Sequence, residues 1–553
     1  MKKIFVILAS AVLALTAVSC QKMLDIPQKG VVNQDEYYKT DTDCEAATTA
    51  LYNMFISSDY RTWFWDWILT SYVSDDTYLT AEALNAEAKH QKTYFSMPLS
   101  DSELLKAYKA WFFVVYRANL IIDNFKDGTT AIQKRAVAEA KVLRSLAYTR
   151  LIGLWGNPPK VDHVLSTAEE FRQPNGDPAE LWNFAITSLK EAVDANVLPS
   201  KSGVNDKTQV RVTQEFAWAL KGKCEVFAGK YADAKVSLKK VIDSGKYDLV
   251  SSADMATLLK PQGNWCCESV FEENLQDPGS GWSTSNGLSD QFPAYCMPRF
   301  GTYGFEPGSW AETNVGSAWG HFHPSEGFIN AIIAHEGKNS ARFKAWIKSY
   351  EDLMALGMKH LETNDPTASA STEIPLALVN YCAQECCGYW LWKFAMAKSD
   401  WMTPTSYKID RANQKFMRYA EVLLLYAEAC ANAGDDGSGV TALNKVQERA
   451  GAPKTALTME NVKAERRFEF IGEGFRFIDL VRWGDAPTAL ADHYTKVPVF
   501  YGYKPGTTTY DIRYFEVGAQ YGQRKFQKGK DEYFPYPSTE VAANPNLKQN
   551  PGW

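Results

Sequence analysis

The sequence predicts a mainly α-helical protein built from antiparallel helix pairs and interrupted by one large loop-rich insertion. Two observations carry the helical part. Apolar residues recur at steps of three and four along most of the chain, and short glycine-containing turns separate these stretches. A third observation predicts the insertion, because one aromatic, glycine-rich region shows neither a helical nor a strand period.

Four stretches illustrate the helical pattern. An apolar face runs from position 136 to 154 and stops at Gly156-Asn157-Pro158-Pro159, and a second covers 181–192. Two more, at 216–227 and 234–241, meet at Gly229-Lys230-Tyr231. A late face is predicted from Phe416 to Cys430, with the helix ending at Gly434.

The turn at Gly229-Lys230-Tyr231 has a Gly-x-Tyr-x-x-Ala pattern, and small residues stand where the paired helices would cross. Such pairs resemble tetratricopeptide units, here of irregular period, although generic helical packing is the alternative. The predicted body covers 46–261 and 406–553, and the insertion covers 262–405.

The N-terminus resembles a bacterial lipoprotein signal. Two lysines precede a short apolar run, and the small residues of Ala17-Val18-Ser19 lead directly to Cys20. We therefore expect residues 1–19 to be removed, Cys20 to carry lipid, and 20–45 to form the stem; an ordinary signal peptide with an incidental cysteine is the alternative. No later stretch is long and apolar enough to span a bilayer.

Composition excludes several classes of function. The formal charge is -6 and there are no basic runs, which argues against a nucleic-acid ligand. The spacings of Cys266-Cys267 and of Cys382-x3-Cys386-Cys387 fit no familiar zinc pattern, so buried thiols or a few disulfides are favoured. His321 and His323, with Glu326, do not form a convincing metal site, because Pro324 is adjacent and a third clear ligand is missing. No metalloprotease, serine-hydrolase or phosphate-loop motif is present.

The segment ERRFEFIGEGFRFIDLVRWG, residues 465–484, combines four cationic and four anionic side chains with apolar residues on two helical faces. Because the charges balance and opposite signs lie within reach, for example Glu473 with Arg476 and Asp479 with Arg482, we predict a buried ion-pair network and no catalytic centre. Gly472 and Gly474 predict a kink or a helix junction between them.

This segment also carries a family resemblance. It resembles the signature of the SusD/RagB family of outer-membrane nutrient-binding lipoproteins. Four further stretches resemble the family in the same order along the chain, namely CQKMLDIPQ, AEAKVLRSLAYTRLIGLWGNPP, FMRYAEVLLLYAEACANAG and YFPYPSTEVAANPNLKQNPGW. The insertion matches no motif.

The resemblance implies a tetratricopeptide-like protein on the outer leaflet of a Gram-negative, Bacteroidetes-type outer membrane. It would cover a SusC-like TonB-dependent transporter and capture an oligosaccharide without catalysing a reaction. Some relatives handle peptides, so a RagB-like peptide receptor is an alternative. Some hold a structural calcium ion, for which this sequence shows no convincing ligand run; we otherwise expect no cofactor.

Aromatic side chains at a water boundary can stack on the C–H faces of sugars, while carboxylates and amides take the hydroxyl groups. Between Trp282 and Phe322 the insertion holds nine aromatic residues and six glycines, but only four charged residues. The first predicted ligand-binding residues are therefore Trp282, Tyr295, Trp310 and Trp319, with Tyr303 beside them. A small satellite core is the alternative for these rings.

A second aromatic cluster is YRTWFWDW, residues 60–67. If this segment is extended, Trp63, Trp65 and Trp67 point to one side, whereas a helix would spread them; packing beneath a loop is the alternative. Asp75 and Asp76 are predicted hydroxyl acceptors, and Arg61 and Asn85 are weaker candidates. Two other functions remain open, a glycoside hydrolase with carboxylates in the insertion and a scaffold that binds a protein partner.

Overall fold

A computed structural model provides the structure of the protein. It describes residues 37–56, 62–79, 95–274, 306–314, 320, 322–358, 386–400, 412–491, 496–516 and 525–553. The predicted signal peptide and Cys20 lie outside these residues and stay predictions.

The first half of the chain is a series of helices, as predicted. In chain order these are α1 Asp41–Ile56, α2 Thr62–Tyr72, α3 Ser102–Phe125, α4 Ala131–Trp155, α5 Pro178–Asp194, α6 Gln214–Phe227 and α7 Tyr231–Asp243, with a short strand β1 at Thr77–Leu79.

Side chains fix where these helices begin. The side-chain oxygens of Asp101, Thr130, Asp177 and Thr213 each accept a hydrogen bond from a backbone N–H in the first turn of α3, α4, α5 and α6. At the far end of α4, Gly156 has φ +76°, which a residue with a side chain rarely adopts. The predicted stop at this glycine is confirmed.

Helices that follow each other in sequence pack side by side: α3 lies against α4, α4 against α5, and α6 against α7. At the α6–α7 crossing, a Cβ atom on Gly222 would lie only 2.4 Å from Cγ of Leu238. The close approach therefore needs glycine at this position. The mainly α prediction is confirmed, and the α6–α7 crossing has the predicted small residue.

The second half of the body packs against the first half. It contains β6 Lys415–Arg418, α12 Tyr419–Ala433, α13 Ser438–Ala450, α14 Met459–Glu469, α15 Arg476–Trp483, α16 Ala486–Ala489, β7 Lys496–Tyr503, β8 Tyr510–Glu516 and α17 Ser538–Ala543. Helix α12 packs on α7 and on α13. The prediction that Phe416 starts a helix is wrong, because residues 415–418 pair with an earlier strand and only Tyr419 begins α12.

The insertion is more regular than predicted. Its described residues contain β2 Ser269–Glu272, α8 Trp310–Asn314, β3 Phe322–Pro324, α9 Glu326–Glu336, α10 Ala341–Trp346, β4 Ile347–Ser349, α11 Tyr350–Ala355 and β5 Tyr389–Leu391. Serine side chains cap α9, α10 and α11. These short helices and strands within the loop-rich region were not anticipated from the sequence.

The described strands form antiparallel pairs, β1 with β3, β2 with β6, β4 with β5 and β7 with β8. Thr77 faces Pro324 in the first pair, and Ser269 faces Arg418 in the second. Two of these pairs therefore join the insertion to the helical body. The main hydrophobic core is continuous over both halves of the body, and two smaller apolar clusters combine residues of the insertion with residues of the body.

Within the described part of the chain, no helix is long and apolar enough to cross a membrane. The cysteines described there are all free thiols: Cys44, Cys224, Cys266, Cys267, Cys386, Cys387 and Cys430. Most of them are buried, in keeping with the expectation of buried thiols.

Candidate functional site

The charged segment 465–484 forms the centre of a buried ion-pair network. Helix α14 ends at Glu469 and α15 begins at Arg476, so the predicted junction is confirmed. Between them Gly472 has φ +75° and Gly474 has φ +76°. The two helices present their charges inward, where other elements meet them.

Arg418 on β6 lies in the middle of this network. Its guanidinium donates to Glu268 at 2.7 Å, to Glu469 at 2.5 Å and to Glu473 at 2.7 Å. Arg342 of α10 and Arg449 of α13 also donate to Glu469. The ionic prediction is confirmed, but the partners are mostly distant in sequence.

One predicted local pair is present and one is wrong. Asp479 accepts from Arg482 at 2.8 Å and also from Arg466 at 2.9 Å. Glu473 does not pair with Arg476; it accepts from Arg418 and from Lys393 at 2.5 Å. Arg476 begins a new helix after the glycine junction, and its side chain pairs with Asp75 instead.

The protonation states of these groups fit a structural role. Burial opposes charge on Glu473, but Arg418 and Lys393 outweigh it and hold the pKa of this carboxyl below its ordinary value. Burial lowers the pKa of Lys393 to about 8, against the pull of Glu473. Since both side chains are buried, no substrate reaches them.

Of the two conformations considered for the 60–67 cluster, the structure shows the helix, α2, from Thr62 to Tyr72. Trp67 is 2 % exposed, its indole N–H donates to the carbonyl of Gly472 at 2.6 Å, and its ring packs on Phe322. Its predicted role as a ligand-stacking ring is therefore wrong; it holds α2 against the glycine junction. Trp65 is partly buried, with Phe64 beside it and the ammonium group of Lys106 4.3 Å from its ring centre.

Asp75 and Asp76 serve as ion-pair partners and not as predicted hydroxyl acceptors. Asp75 accepts two hydrogen bonds at 2.8 Å from Arg476, and Asp76 accepts one at 2.6 Å from Arg467. Burial raises the pKa of Asp76, because desolvation outweighs the attraction of Arg467. These pairs attach the loop after α2 to α14 and α15.

Trp310 is the predicted stacking residue that the structure presents to solvent. It begins helix α8, and 44 % of its surface is exposed. The neighbouring Ala311 is buried, and its N–H donates to the carbonyl of Leu356 at 2.9 Å. One side of α8 is thus fixed to the end of α11, while the indole lies at the water boundary.

A carboxylate held by two phenols lies at the other end of α11. Glu351 accepts from Tyr503 at 2.7 Å and from Tyr510 at 2.6 Å, both on the β7–β8 hairpin. Partial burial opposes its charge, but the two hydroxyls outweigh that and keep the pKa of Glu351 below its ordinary value. Glu351 and Leu356, which holds α8, thus lie at opposite ends of α11, about 7 Å apart along the helix axis.

Sequence-based prediction missed the contribution of this hairpin. It belongs to the C-terminal part of the body, yet Tyr510 packs on Tyr350 and Tyr389 of the insertion. Tyr514, 49 % exposed, donates to Glu326 at 2.8 Å. The tyrosine alternation at 510 and 514 was the available clue, since it places both rings on one face of a strand.

Most of the other predicted residues lie outside the part of the chain that the structure describes. Trp282, Tyr295, Tyr303, Trp319, Arg61 and Asn85 lie outside the described residues, as does the side chain of Trp63. For the histidine set, His323 is fully buried and His321 lies outside the described residues. In the described part of the chain, no group of three or more His, Cys, Asp or Glu could hold a metal ion. Absence of a cofactor stays a prediction.

Comparison with known proteins places the chain in a family. The model of the SusD family matches residues 268–553. A SusD-like protein of Bacteroides ovatus is 23 % identical, the alignment covering 100 % of this chain and 98 % of the relative. Surface glycan-binding protein A from Bacteroides fluxus is 23 % identical and has a TM-score of 0.71, with 93 % of this chain and 100 % of that chain covered.

Surface glycan-binding protein A from Bacteroides thetaiotaomicron, in complex with laminarihexaose, is 22 % identical with a TM-score of 0.70, again over 93 % of this chain and 100 % of that one. The shared helical fold agrees with the architecture described above. Because the family model covers more than half of the chain, the protein belongs to the SusD family.

Proposed function

We propose that this protein is a non-catalytic receptor that binds an oligosaccharide at the cell surface and delivers it to a SusC-like TonB-dependent transporter. One observation supports the binding step. The indole of Trp310 is exposed, while the next residue of the same helix, Ala311, is buried and hydrogen-bonded to Leu356. A flat ring with a firm base can stack on a sugar without being ordered first, which reduces the entropy lost on binding.

A hydrogen-bonding group of the right kind stands on α11, the helix whose far end holds α8. Glu351 can accept from sugar hydroxyls, and its phenol partners Tyr503 and Tyr510 restrict its orientation. Family membership and the glycan-binding names of related proteins support a sugar as the ligand class. Trp282, Tyr295, Tyr303 and Trp319 stay proposed extensions of the same surface.

Absence of catalysis is part of the proposal. The buried charges of the 465–484 segment are paired, mostly with residues outside the segment such as Arg418, and lie out of reach of solvent. Lipidation of Cys20, attachment to the outer membrane and docking on the transporter complete the proposed receptor. The sequence of the N-terminus and membership of the family support these three proposals.

Titration calorimetry with laminarihexaose, preceded by a screen of polysaccharides, tests the binding step. We expect Trp310→Ala to weaken the measured affinity by about tenfold, since a stacked ring contributes on the order of 1 kcal/mol. Phe171→Ala is the matched control, because Phe171 is an exposed aromatic residue on a different face. If Trp310→Ala binds the sugar as tightly as the parent protein, the ligand does not bind at this site. If the protein steadily releases new reducing ends from a glycan, it is an enzyme and the non-catalytic proposal is wrong.

A further inference from the structure

A groove on the helical body has no role in the proposed glycan site. It runs between α3, the loop that follows α4, and the C-terminal helix α17, and its volume is about 450 Å³. Phe171 on its edge is 60 % exposed and Tyr116 is 42 % exposed. Further lining side chains are Tyr108, Phe112, Phe113, Val161 and Leu547. Such a contiguous aromatic surface marks a binding site.

The polar groups at the rim already have partners within the protein. Lys109 lies 3.6 Å from Glu540, and the side-chain amide of Asn544 donates to the carbonyl of Gln173 at 2.7 Å. A hydroxyl-rich sugar would gain few hydrogen bonds here. The groove therefore suits a peptide segment that carries aliphatic side chains.

The beginning of the described chain lies beside this groove. The ring of Tyr38 packs on Phe125, at the C-terminal end of α3, with 6.2 Å between the ring centres. Burial raises the pKa of the Tyr38 phenol, and the guanidinium of Arg117, next to Tyr116 on α3, lies close enough to oppose this. Tyr116 lines the groove, so the described part of the chain begins near the groove.

The length of that segment fits the distance. Along α3, Phe125 and the far groove residue Tyr108 are separated by about 25 Å, at 1.5 Å per residue. An extended chain spans roughly 3.3 Å per residue, so residues 23–36 reach up to about 46 Å. Five sizeable aliphatic side chains occur in this segment, at Met23, Leu24, Ile26, Val31 and Val32.

We propose that the stem segment Met23–Val32 of this chain lies in the groove, with Val31 and Val32 nearest Tyr116. The inference goes beyond the proposed function and does not depend on which ligand is bound. If Cys20 carries lipid, docking leaves only residues 20–22 as free tether. The groove face of the body would then be held toward the membrane, and the glycan surface would keep a fixed orientation.

Limited trypsin digestion of the chain from Gln21 to Trp553, which lacks the lipid-bearing Cys20, tests this docking, because Lys29 is a cleavage site inside the segment. Intact-mass analysis measures the rate of cleavage after Lys29, and hydrogen–deuterium exchange measures protection of residues 21–36. We expect the double variant Phe171→Ser, Tyr116→Ser to be cleaved about tenfold faster, since cleavage follows the population of the released state. Both side chains are exposed, so the fold should be retained.

Val236→Ser is the matched control, as Val236 on α7 is 61 % exposed and does not line the groove. Its cleavage rate should equal that of the parent protein. Equally fast cleavage in the parent and the double variant overturns the proposal, as does protection that survives in the double variant. Dimerisation that is lost in the double variant, with the stem unprotected, would assign the groove to a second copy and also overturn it. Laminarihexaose titration of the same proteins reports separately on the glycan site.

Discussion

Replacing Arg418 by methionine removes one cation from the middle of the buried network. The side chains connected through Arg418 and Glu469 comprise four cations and five carboxylates, all but fully buried: Arg342, Lys393, Arg418 and Arg449 with Glu268, Glu336, Glu465, Glu469 and Glu473. The variant leaves five carboxylates facing three cations. Methionine fills a similar volume, so the main change is electrostatic.

The expected cost follows from the geometry. Arg418 donates to three carboxylates and also to the backbone carbonyl of Glu469 at 2.8 Å. Removing one partner from a buried ion pair typically destabilises a protein by about 3–5 kcal/mol, because the remaining charge is uncompensated. We therefore expect the free energy of unfolding to fall by that amount at pH 7.

The pH dependence has a definite sign. In the parent protein the pKa of Glu473 is lowered, so its contribution is present above the unfolded value of about 4.3 and is lost as pH falls. Without Arg418, burial dominates and the folded pKa of Glu473 rises. The carboxylate then destabilises the fold at pH 7, and protonation relieves this penalty as pH falls. The difference between the two proteins should narrow between pH 7 and roughly pH 4.5.

Urea-induced unfolding, followed by tryptophan fluorescence at both pH values, measures these differences. Lys454→Met is the matched control, because Lys454 pairs with Glu448 on the surface and both side chains are more than half exposed. Its unfolding free energy should change by less than about 1 kcal/mol. A similarly small change for Arg418→Met at pH 7, or a difference that does not narrow on acidification, would refute the reasoning.

Two further predictions concern residues with one defined partner each. Trp67→Phe keeps an aromatic ring but removes the 2.6 Å hydrogen bond to Gly472, so unfolding in urea should show a loss of about 1–3 kcal/mol with unchanged laminarihexaose affinity; an altered affinity with intact folding would restore Trp67 as a ligand contact. Burial and the carboxylate of Glu351 raise the pKa of Tyr503 to about 12, so Glu351→Gln should move this pKa down toward 10 in an ultraviolet absorbance titration. Tyr503→Phe identifies the transition, and no downward movement would contradict the hydrogen bond.

Local sequence patterns were sufficient to predict the helices of the body and where they end. The stop at Gly156 and the turn at Gly229 could be predicted, because helix periodicity and glycine at positive φ act over a few residues. The junction at Gly472 and Gly474 followed for the same reason. In the 60–67 cluster, by contrast, alternation of tryptophans was compatible with both a strand and a helix, and tertiary packing of Trp67 on Phe322 decided for the helix.

Long-range partners were beyond the sequence. Nothing near Asp75 indicates that its partner is Arg476, which lies 401 residues later. An acidic pair in a loop is equally suitable for a ligand hydroxyl and for a guanidinium, so residue type alone could not separate the two roles. The same limit applies to Glu351, whose phenol partners come from a hairpin more than 150 residues away.

The network around Arg418 explains how the insertion is positioned on the body. Glu268 and Arg342 come from the predicted insertion, whereas Arg418, Arg449 and Glu469 come from the helical body. Buried ion pairs contribute little net stability compared with apolar packing, but they strongly disfavour any arrangement that leaves a charge unpaired. We infer that the network selects one docking geometry of the insertion. The exposed ring of Trp310 then rests on a base whose position is set by charges on both parts of the chain, which limits the ordering required when a ligand binds.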